Sequence, residues 1–283
     1  MIKKFAFILF NLILFCDYLL NKLFRRRIII FFKEFIDEKL YTKVIIEHKE
    51  VFFFTPNQLT NWRVETYFQK EPDTLEWIRG FKKNKCIFWD IGSNIGLYSI
   101  FASILHKDIS IICFEPSTSN LRILSRNISI NNLENIIKIN PIALTNKENV
   151  FLNMNEKKFI EGGALNTFGE EFDSNGKIFT PKNKYKTFGT TIDYLVENNI
   201  LEIPNYIKID VDGIEHLILN GGIKTLKNTN LQSILVEVNE DFQNQKKEII
   251  KIMDDCKFIL LSKKMSPLFN LNKVHNYIFC RKY

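Results

Sequence analysis

The chain has 283 residues, 46% of them hydrophobic and 25% charged, with a formal net charge of +7. That balance suits one large or two small globular domains with a sizeable core, and it excludes collagen, coiled coil and wholesale disorder. The cysteines (Cys16, Cys86, Cys113, Cys256, Cys280) form no CxxC pair and the histidines (His48, His106, His216, His275) no HxxxH pair. The cysteines argue against a disulfide framework or a structural zinc and for a reducing compartment, and the histidines against a histidine-ligated metal.

The charge is concentrated at the start. Residues 1–33 carry seven Lys/Arg against one acid, Asp17, or +6, which leaves the other 250 residues at +1. A body so nearly neutral carries no nucleic-acid footprint. The basic head is otherwise apolar, through Phe5-Ala-Phe-Ile-Leu-Phe and Leu12-Ile-Leu-Phe-Cys16. No small-residue cleavage site follows, as a signal peptide requires. Asn11, Asp17 and Asn21 interrupt the ~20 apolar residues that a spanning helix needs. A helix lying on a bilayer tolerates such breaks and turns Arg25-Arg26-Arg27 toward anionic lipid. A helix docked on the protein or on a partner subunit is the equal alternative, and true spanning ranks below both.

Residues 34–70 read as short strands or a cap, with apolar runs at Val44-Ile-Ile and Val51-Phe-Phe-Phe. From residue 71 to 283 the pattern is regular. Glu71–Gly80 has Pro near a helix start and Gly at its end. Strands are expected at 86–91, 110–115, 136–140, 206–211 and 233–238, and helices at 94–105, 117–131, 214–226 and 241–254. Residues 258–261 and 277–280 read as a closing antiparallel pair. This alternation predicts an α/β fold with a doubly wound, mostly parallel sheet and an N-terminal helical, membrane-proximal extension. Residues 150–190 are the exception, polar and irregular, and read as a lid, a binding loop or a disordered connection.

Three motifs carry chemistry. Asp90-Ile-Gly-Ser-Asn-Ile-Gly96 falls between a strand and a helix, where a doubly wound sheet binds ligand. Its spacing is GxxxG, not the dinucleotide GxGxxG, and Asp90 suits a cationic amine better than a pyrophosphate. Glu115 ends the next strand 19 residues after Gly96, placed for both hydroxyls of a ribose. Together they favour a nucleoside ligand without phosphates, S-adenosylmethionine before NAD. Tyr206-Ile-Lys-Ile-Asp-Val-Asp-Gly-Ile-Glu215 gathers Asp210, Asp212 and Glu215 at a strand tip. There they offer a general base for a hydroxyl or, with Glu237, oxygen ligands for a divalent cation through Asp210, Asp212 and Glu237. Acids complementing a helix dipole are the structural alternative, which explains Glu215 well and Asp210 poorly.

With these blocks the chain resembles the FkbM-family S-adenosylmethionine-dependent methyltransferases from about Glu71 to Glu237. The resemblance rests on Glu71-Pro, Phe88-Trp-Asp-Ile-Gly-Ser-Asn-Ile-Gly-Leu-Tyr-Ser, Phe114-Glu-Pro with Asn127, and the block from Lys208 to Gly222. The last is similar to the family's K-I-D-V-E-G-x-E signature, with Asp212 where glutamate is usual. The resemblance implies a class I, Rossmann-like methyltransferase fold and methyl transfer, usually to a hydroxyl of a sugar, glycan or other small acceptor. It implies Asp90, Gly92, Asn94 and Gly96 along the methionine part of the cofactor, Glu115 on the ribose and Ala143-Leu144 near the adenine. Asp210 then faces methyl donor and acceptor. Asp210 or Glu215 is the expected base, with Asp212 beside them and His216 behind. Gly162-Gly163 reads as a hinge of an acceptor-selecting segment. Residues 1–33 suggest a cytoplasmic enzyme at the inner face of the membrane. An NAD(P)-dependent oxidoreductase and a non-catalytic membrane-tethered module remain the alternative readings.

Overall fold

The computed structural model describes residues 1–82, 85–172, 175–269 and 273–282, so positions 173 and 174 of the irregular segment lie outside the described residues. The chain forms two compact units that part between Thr42 and Lys43.

The first unit holds helices α1 (Ile2–Phe24) and α2 (Ile29–Asp37). Asn11, Asp17 and Asn21 leave α1 unbroken, because two of them are satisfied inside the unit. Asn11 donates to the Phe7 carbonyl at 2.7 Å. The buried Asp17 carboxylate accepts from the Ile28 and Ile29 amides at 2.7 and 3.0 Å and from Arg27 Nε at 3.2 Å. It thereby caps the start of α2, where free N–H groups favour an anion. By length and composition α1 can cross a membrane, with a mean hydropathy of 1.7.

Strand β1 (Tyr41–Ile46), whose first two residues fall in the first unit, is followed by β2 (Lys49–Phe54), the two joined by Glu47-His48, both with positive φ. These strands lie where the apolar runs of 34–70 predict them. Helices α3 (Gln58–Glu65), α4 (Tyr67–Lys70) and α5 (Pro72–Arg79) follow, then β3 (Cys86–Ile91), α6 (Leu97–Leu105), β4 (Ile109–Phe114), α7 (Thr118–Ile130) and β5 (Ile137–Asn140). Next come β6 (Ala143–Leu144), β7 (Val150–Glu156), β8 (Asn166–Phe168), β9 (Asn183–Thr190) and α8 (Ile192–Glu197). The chain ends through β10 (Tyr206–Ile209), α9 (Glu215–Asn220), α10 (Ile223–Leu226), β11 (Ser233–Asn239), α11 (Gln243–Asp255), β12 (Phe258–Met265) and β13 (Val274–Arg281).

A seven-stranded sheet runs in the order β12-β13-β11-β10-β3-β4-β5. Its pairs from β11 to β5 are parallel, while β13 is antiparallel to both neighbours. The central strands are covered on both faces, which is why Phe88, Ile111, Ile207, Ile209 and Val236 are wholly buried and the strands read as continuous apolar runs. This is the expected doubly wound fold. One expected helix differs: 214–226 breaks at Gly221-Gly222 into α9 and α10.

The larger difference is residues 150–190. They are not an irregular loop; with β6 they build a second sheet in the order β6-β9-β7-β8. Its apolar face adds Met154 and Phe168 to the main core. Several of its polar positions are buried too, held by hydrogen bonds to the sheet and its surroundings. Glu156, fully buried, accepts from Ser117 Oγ at 2.8 Å, Asn183 Nδ2 at 2.8 Å and Tyr185 OH at 3.0 Å. A sheet that buries Asn155, Glu156 and Thr167 shows no apolar alternation to read.

Candidate active site

The site is assembled at the carboxyl ends of β3, β4, β10 and β11. Leaving β3, the Gly92 and Ser93 amides donate to the Phe114 carbonyl at 2.9 and 3.1 Å, and the Asp210 amide donates to the Ile91 carbonyl at 3.1 Å. The three strand ends are thus tied together. Gly92 has φ +80°, and a Cβ there would lie 1.9 Å from the Asp210 carbonyl oxygen, so only glycine allows β3 and β10 to finish this close. Asn94 also has positive φ. With Gly96 as its left-handed N-cap, α6 starts at Leu97, three residues later than the spacing predicts.

Glu115, at the end of β4, is buried and accepts from the Asn94 amide at 2.8 Å and the Ser117 amide at 2.9 Å. Burial pushes its carboxyl up to about 7 against those hydrogen bonds. Asp90 is buried beneath the turn, where it accepts from Ser99 Oγ at 2.6 Å and leaves Oδ1 without a partner. Burial raises its carboxyl, opposed by Lys208. Asp90 and Gly96 therefore shape the turn from below, whereas Gly92 and Asn94 face the cavities.

Three adjoining cavities open here. The first, about 550 Å³, has walls of Phe114, Ile142, Ala143, Leu144, Met154, Phe168, Ile214 and Ile218, with Asn94, Glu115, Asn166 and Asp210 as polar groups. The second, about 600 Å³, shares Gly92, Asn94, Asp210 and Asp212 and adds Tyr98, Lys208 and Glu237. The third, about 920 Å³, forms the mouth between Trp62, Arg63, Lys70, Glu71, Leu165, Glu237 and His275. Asn94 Oδ1 and Asn166 Oδ1 are buried acceptors with no hydrogen-bond partner. They are two groups that a ligand with N–H or O–H donors would satisfy.

The charge is organised around Lys208, the one basic residue inside β10. It is wholly buried, donates to Asp210 Oδ2 at 2.7 Å and holds its ammonium 4.9 Å from the Tyr98 ring centroid. Burial disfavours this cation, but Asp210, Asp90 and Glu71 outweigh the cost and raise its pKa. Burial likewise works to raise Glu71, yet Lys70 and Lys208 overcome it and hold that carboxyl at about 2. Asp212 goes the other way: burial and the Asp210 charge push it up to about 6, although its Oδ2 accepts from the Leu165 amide at 2.6 Å.

The expected base Glu215 is not on a cavity wall. Its carboxylate accepts from the Val211 and Gly213 amides and, at 2.5 Å, from Gln245 Nε2, so it fixes the loop that carries Asp212. Burial pushes it up to about 7. His216 lies on the same helix, away from the cavities, with Nδ1 unpartnered. Asp210, Asp212 and Glu237 do come to one place, but no group of three His, Cys, Asp or Glu able to hold a metal ion occurs among the described residues. Lys208 already supplies a cation to Asp210.

The second sheet closes the site. The Gly163 carbonyl accepts from Asn94 Nδ2 at 2.7 Å and Asn120 Nδ2 at 3.2 Å, and Arg63 Nε donates to the Gly162 carbonyl at 2.7 Å. The two glycines of the expected hinge are thus pinned across the cavity. Sequence reasoning missed Trp62 and Arg63 on α3 and Met154, Asn166 and Phe168 on β7 and β8. For α3 a signal existed: Asn57 and Thr60 form a capping box, its side-chain acceptor serving the Leu59 and Thr60 amides.

Residues 90–260 match the Methyltransferase FkbM domain. Penicillin-binding protein 1A of Clostridium perfringens is 30% identical over 125 residues, which are 42% of this chain; the chain spans only 15% of that relative's length. Among solved structures, methyltransferase FkbM from Methylobacillus flagellatus is 13% identical, with a TM-score of 0.48, over 78% of this chain and 52% of the other. The precorrin-6y C5,15-methyltransferase of Geobacter metallireducens is 14% identical, with a TM-score of 0.43, over 75% and 87%.

Proposed function

The chain belongs to the FkbM methyltransferase family, and from that premise we propose that it methylates a hydroxyl oxygen on a sugar, a glycan or another small hydroxylated acceptor. The methyl donor of the family's chemistry, S-adenosylmethionine, supplies an electrophilic methyl group on a sulfonium. The observation that carries the reading is an apolar cavity at the β3 and β4 tips whose edge bears Glu115 and the unpartnered Asn94 Oδ1. In this reading Glu115 accepts from both ribose hydroxyls, and Ala143 and Leu144, with Ile142 and Phe114, cover the adenine. Asn94 Oδ1 accepts from the donor's amino group. Asp210, held in place by Lys208, faces the methyl group and complements positive charge there, with Asp212 beside it. Glu215, Asp90 and Gly96 position the two loops. The chain's task is alignment and exclusion of water, which the pinned Gly162–Leu165 segment serves.

The test is thermal shift. S-adenosylhomocysteine should stabilise the protein, whereas NAD⁺ and NADP⁺ should not; stabilisation by a nicotinamide coenzyme alone would establish the oxidoreductase reading instead. The acceptor class is tested by following a tritiated methyl group into fractions of cells with and without the gene.

The reading extends to location: a cytoplasmic enzyme held at the inner face of the membrane by residues 1–33. Support comes from α1, whose large apolar side chains, such as Phe5, Phe7, Ile8 and Leu12, are exposed, and from the basic run Arg25–Arg27. Full-length protein that stays soluble at low salt without detergent would contradict it.

A further inference from the structure

The carboxylates at the site are nearly all engaged. Asp90 accepts from Ser99, Glu115 from two amides, Asp212 from Leu165 and Glu215 from Gln245 and two amides. Asp210 is bound to Lys208 and Glu71 to Lys70. Glu237 alone among them has neither a hydrogen bond nor an ion pair within the described residues. It stands near the carboxyl end of β11, next to β10 and opposite Asn276 of β13. Its position is shared: it lines the inner cavity that contains Gly92, Lys208 and Asp210, and also the mouth cavity that contains Trp62 and Arg63. A group that meets an acceptor entering from the mouth and a methyl group arriving over Asp210 must stand at that junction.

We infer that Glu237 takes the proton of the acceptor hydroxyl during methyl transfer, while Asp210 and Glu215 remain engaged with Lys208 and the 211–213 loop. The inference rests on the reading of the site as a hydroxyl-methylating one. As the acceptor oxygen forms its bond to the methyl carbon, the carbon–sulfur bond breaks with its electron pair going to sulfur. The hydroxyl proton passes to a Glu237 oxygen and leaves through the mouth cavity to solvent.

The surroundings suit the task. Burial, then the Asp210, Asp212, Glu215 and Glu71 carboxylates, raise the Glu237 carboxyl well above its ordinary range, which makes its ionised form a stronger base. The cations nearby are the buried Lys208 and the half-buried Lys70, each committed to a carboxylate, and Arg63, with His275 on the mouth wall. A positive charge bound over Asp210 favours ionisation of Glu237, so a cationic donor should expel its proton where the neutral thioether product does not.

The full chain is titrated calorimetrically at pH 7 with S-adenosylmethionine and with S-adenosylhomocysteine, each in two buffers of different ionisation enthalpy. The sulfonium lowers the pKa of the amine that both ligands carry, so the amine of each free ligand is titrated separately and its proton linkage subtracted from both readings. The wild type should release up to about one proton more with the sulfonium, and Glu237→Gln should abolish that difference while keeping affinity for S-adenosylhomocysteine within about threefold. Glu237→Asp should retain it. An undiminished difference in Glu237→Gln overturns the assignment. Should that variant not fold, the wild type decides by itself. The ratio of sulfonium to thioether affinity must climb between pH 6 and 8, at most about tenfold per pH unit for one linked proton, and a flat ratio overturns the proposal. Turnover is read as tritiated methyl transferred into an extract of cells lacking the gene. Glu237→Gln should lose about 100-fold or more and Glu237→Asp less, whereas near-normal transfer by Glu237→Gln also overturns it. Failure of the wild type to bind either ligand overturns the methyl-donor reading itself, and the inference falls with it.

Discussion

The two sheets of the larger unit solve the same problem by opposite means. In the seven-stranded sheet, β3, β4, β10 and β11 are buried on both faces mostly by apolar side chains, and their charged groups, Asp90, Lys208 and Glu237, stand toward the carboxyl ends. In the four-stranded sheet, polar side chains enter the interior, and the charged one among them, Glu156, is satisfied there by Ser117, Asn183 and Tyr185. The first arrangement writes itself into the sequence as apolar runs ending in Gly, Asp or Glu. The second leaves a polar stretch that looks like a loop. Yet both sheets wall the same cavity, so the legible sheet supplies the charged groups and the illegible one much of the cover.

The strongest way to break the legible half is Gly92→Ala. The added methyl would lie 1.9 Å from the Asp210 carbonyl, in a backbone conformation that side chains resist, so the β3 and β10 tips must separate. Binding of S-adenosylhomocysteine measured by calorimetry should be abolished. An alanine variant with unaltered affinity would mean that the strand ends do not set the pocket.

The corresponding test of the second sheet is Phe168→Ala. If residues 150–190 were a loop laid over the site, truncating Phe168 would cost little. Phe168 is instead buried in the main core and lines the cavity. Loss of such a ring costs about 3–5 kcal/mol, read in denaturant titrations, with affinity for the cofactor product falling alongside. A change below about 1 kcal/mol would show this sheet to be separable from the core.

How much could be read beforehand follows from the same contrast. The core strands, their order around β3 and the clustering of Gly92, Asn94, Glu115, Asp210 and Asp212 were legible because periodicity and strand-end punctuation are local properties. The places of Arg63 and Lys208 were not. Lys208 appears as part of a motif, but its burial against Asp210 and Glu71 depends on β10 lying between β3 and β11 and on α5 packing alongside. Arg63 meets Gly162 across 99 positions of sequence, a contact no window can report. Asp17 misleads in the opposite direction: a charge that seems to break an apolar helix is neutralised by α2 and Arg27.

A smaller effect separates binding from chemistry within the legible half. Glu115→Ala removes an acceptor facing the cavity and releases the Asn94 and Ser117 amides. Affinity for S-adenosylhomocysteine should drop about 10- to 100-fold, in keeping with hydrogen bonds to a charged group. A variant that binds normally but turns over slowly would contradict the ribose assignment.

The smallest effect is one of pH, and it arises in the legible half because that is where the raised carboxyls cluster. Burial first holds Glu115 and Glu215 at about 7 and Asp212 at about 6. Each lies above its value in the unfolded chain, so the folded protein binds these protons more tightly than the unfolded one. Their contribution to stability is complete below about pH 4 and is lost as pH rises through 6 to 7. Glu71, held at about 2, has the opposite sign; its contribution disappears only as pH falls toward 2 and is constant in this window. The ligand-free protein should therefore melt at a lower temperature at pH 8 than at pH 5. Glu115→Gln, which keeps an acceptor but cannot ionise, should reduce that fall by on the order of 1–2 kcal/mol. A slope unchanged in Glu115→Gln would mean that the β4 tip is better solvated than its burial implies, and the cavity behind it more open.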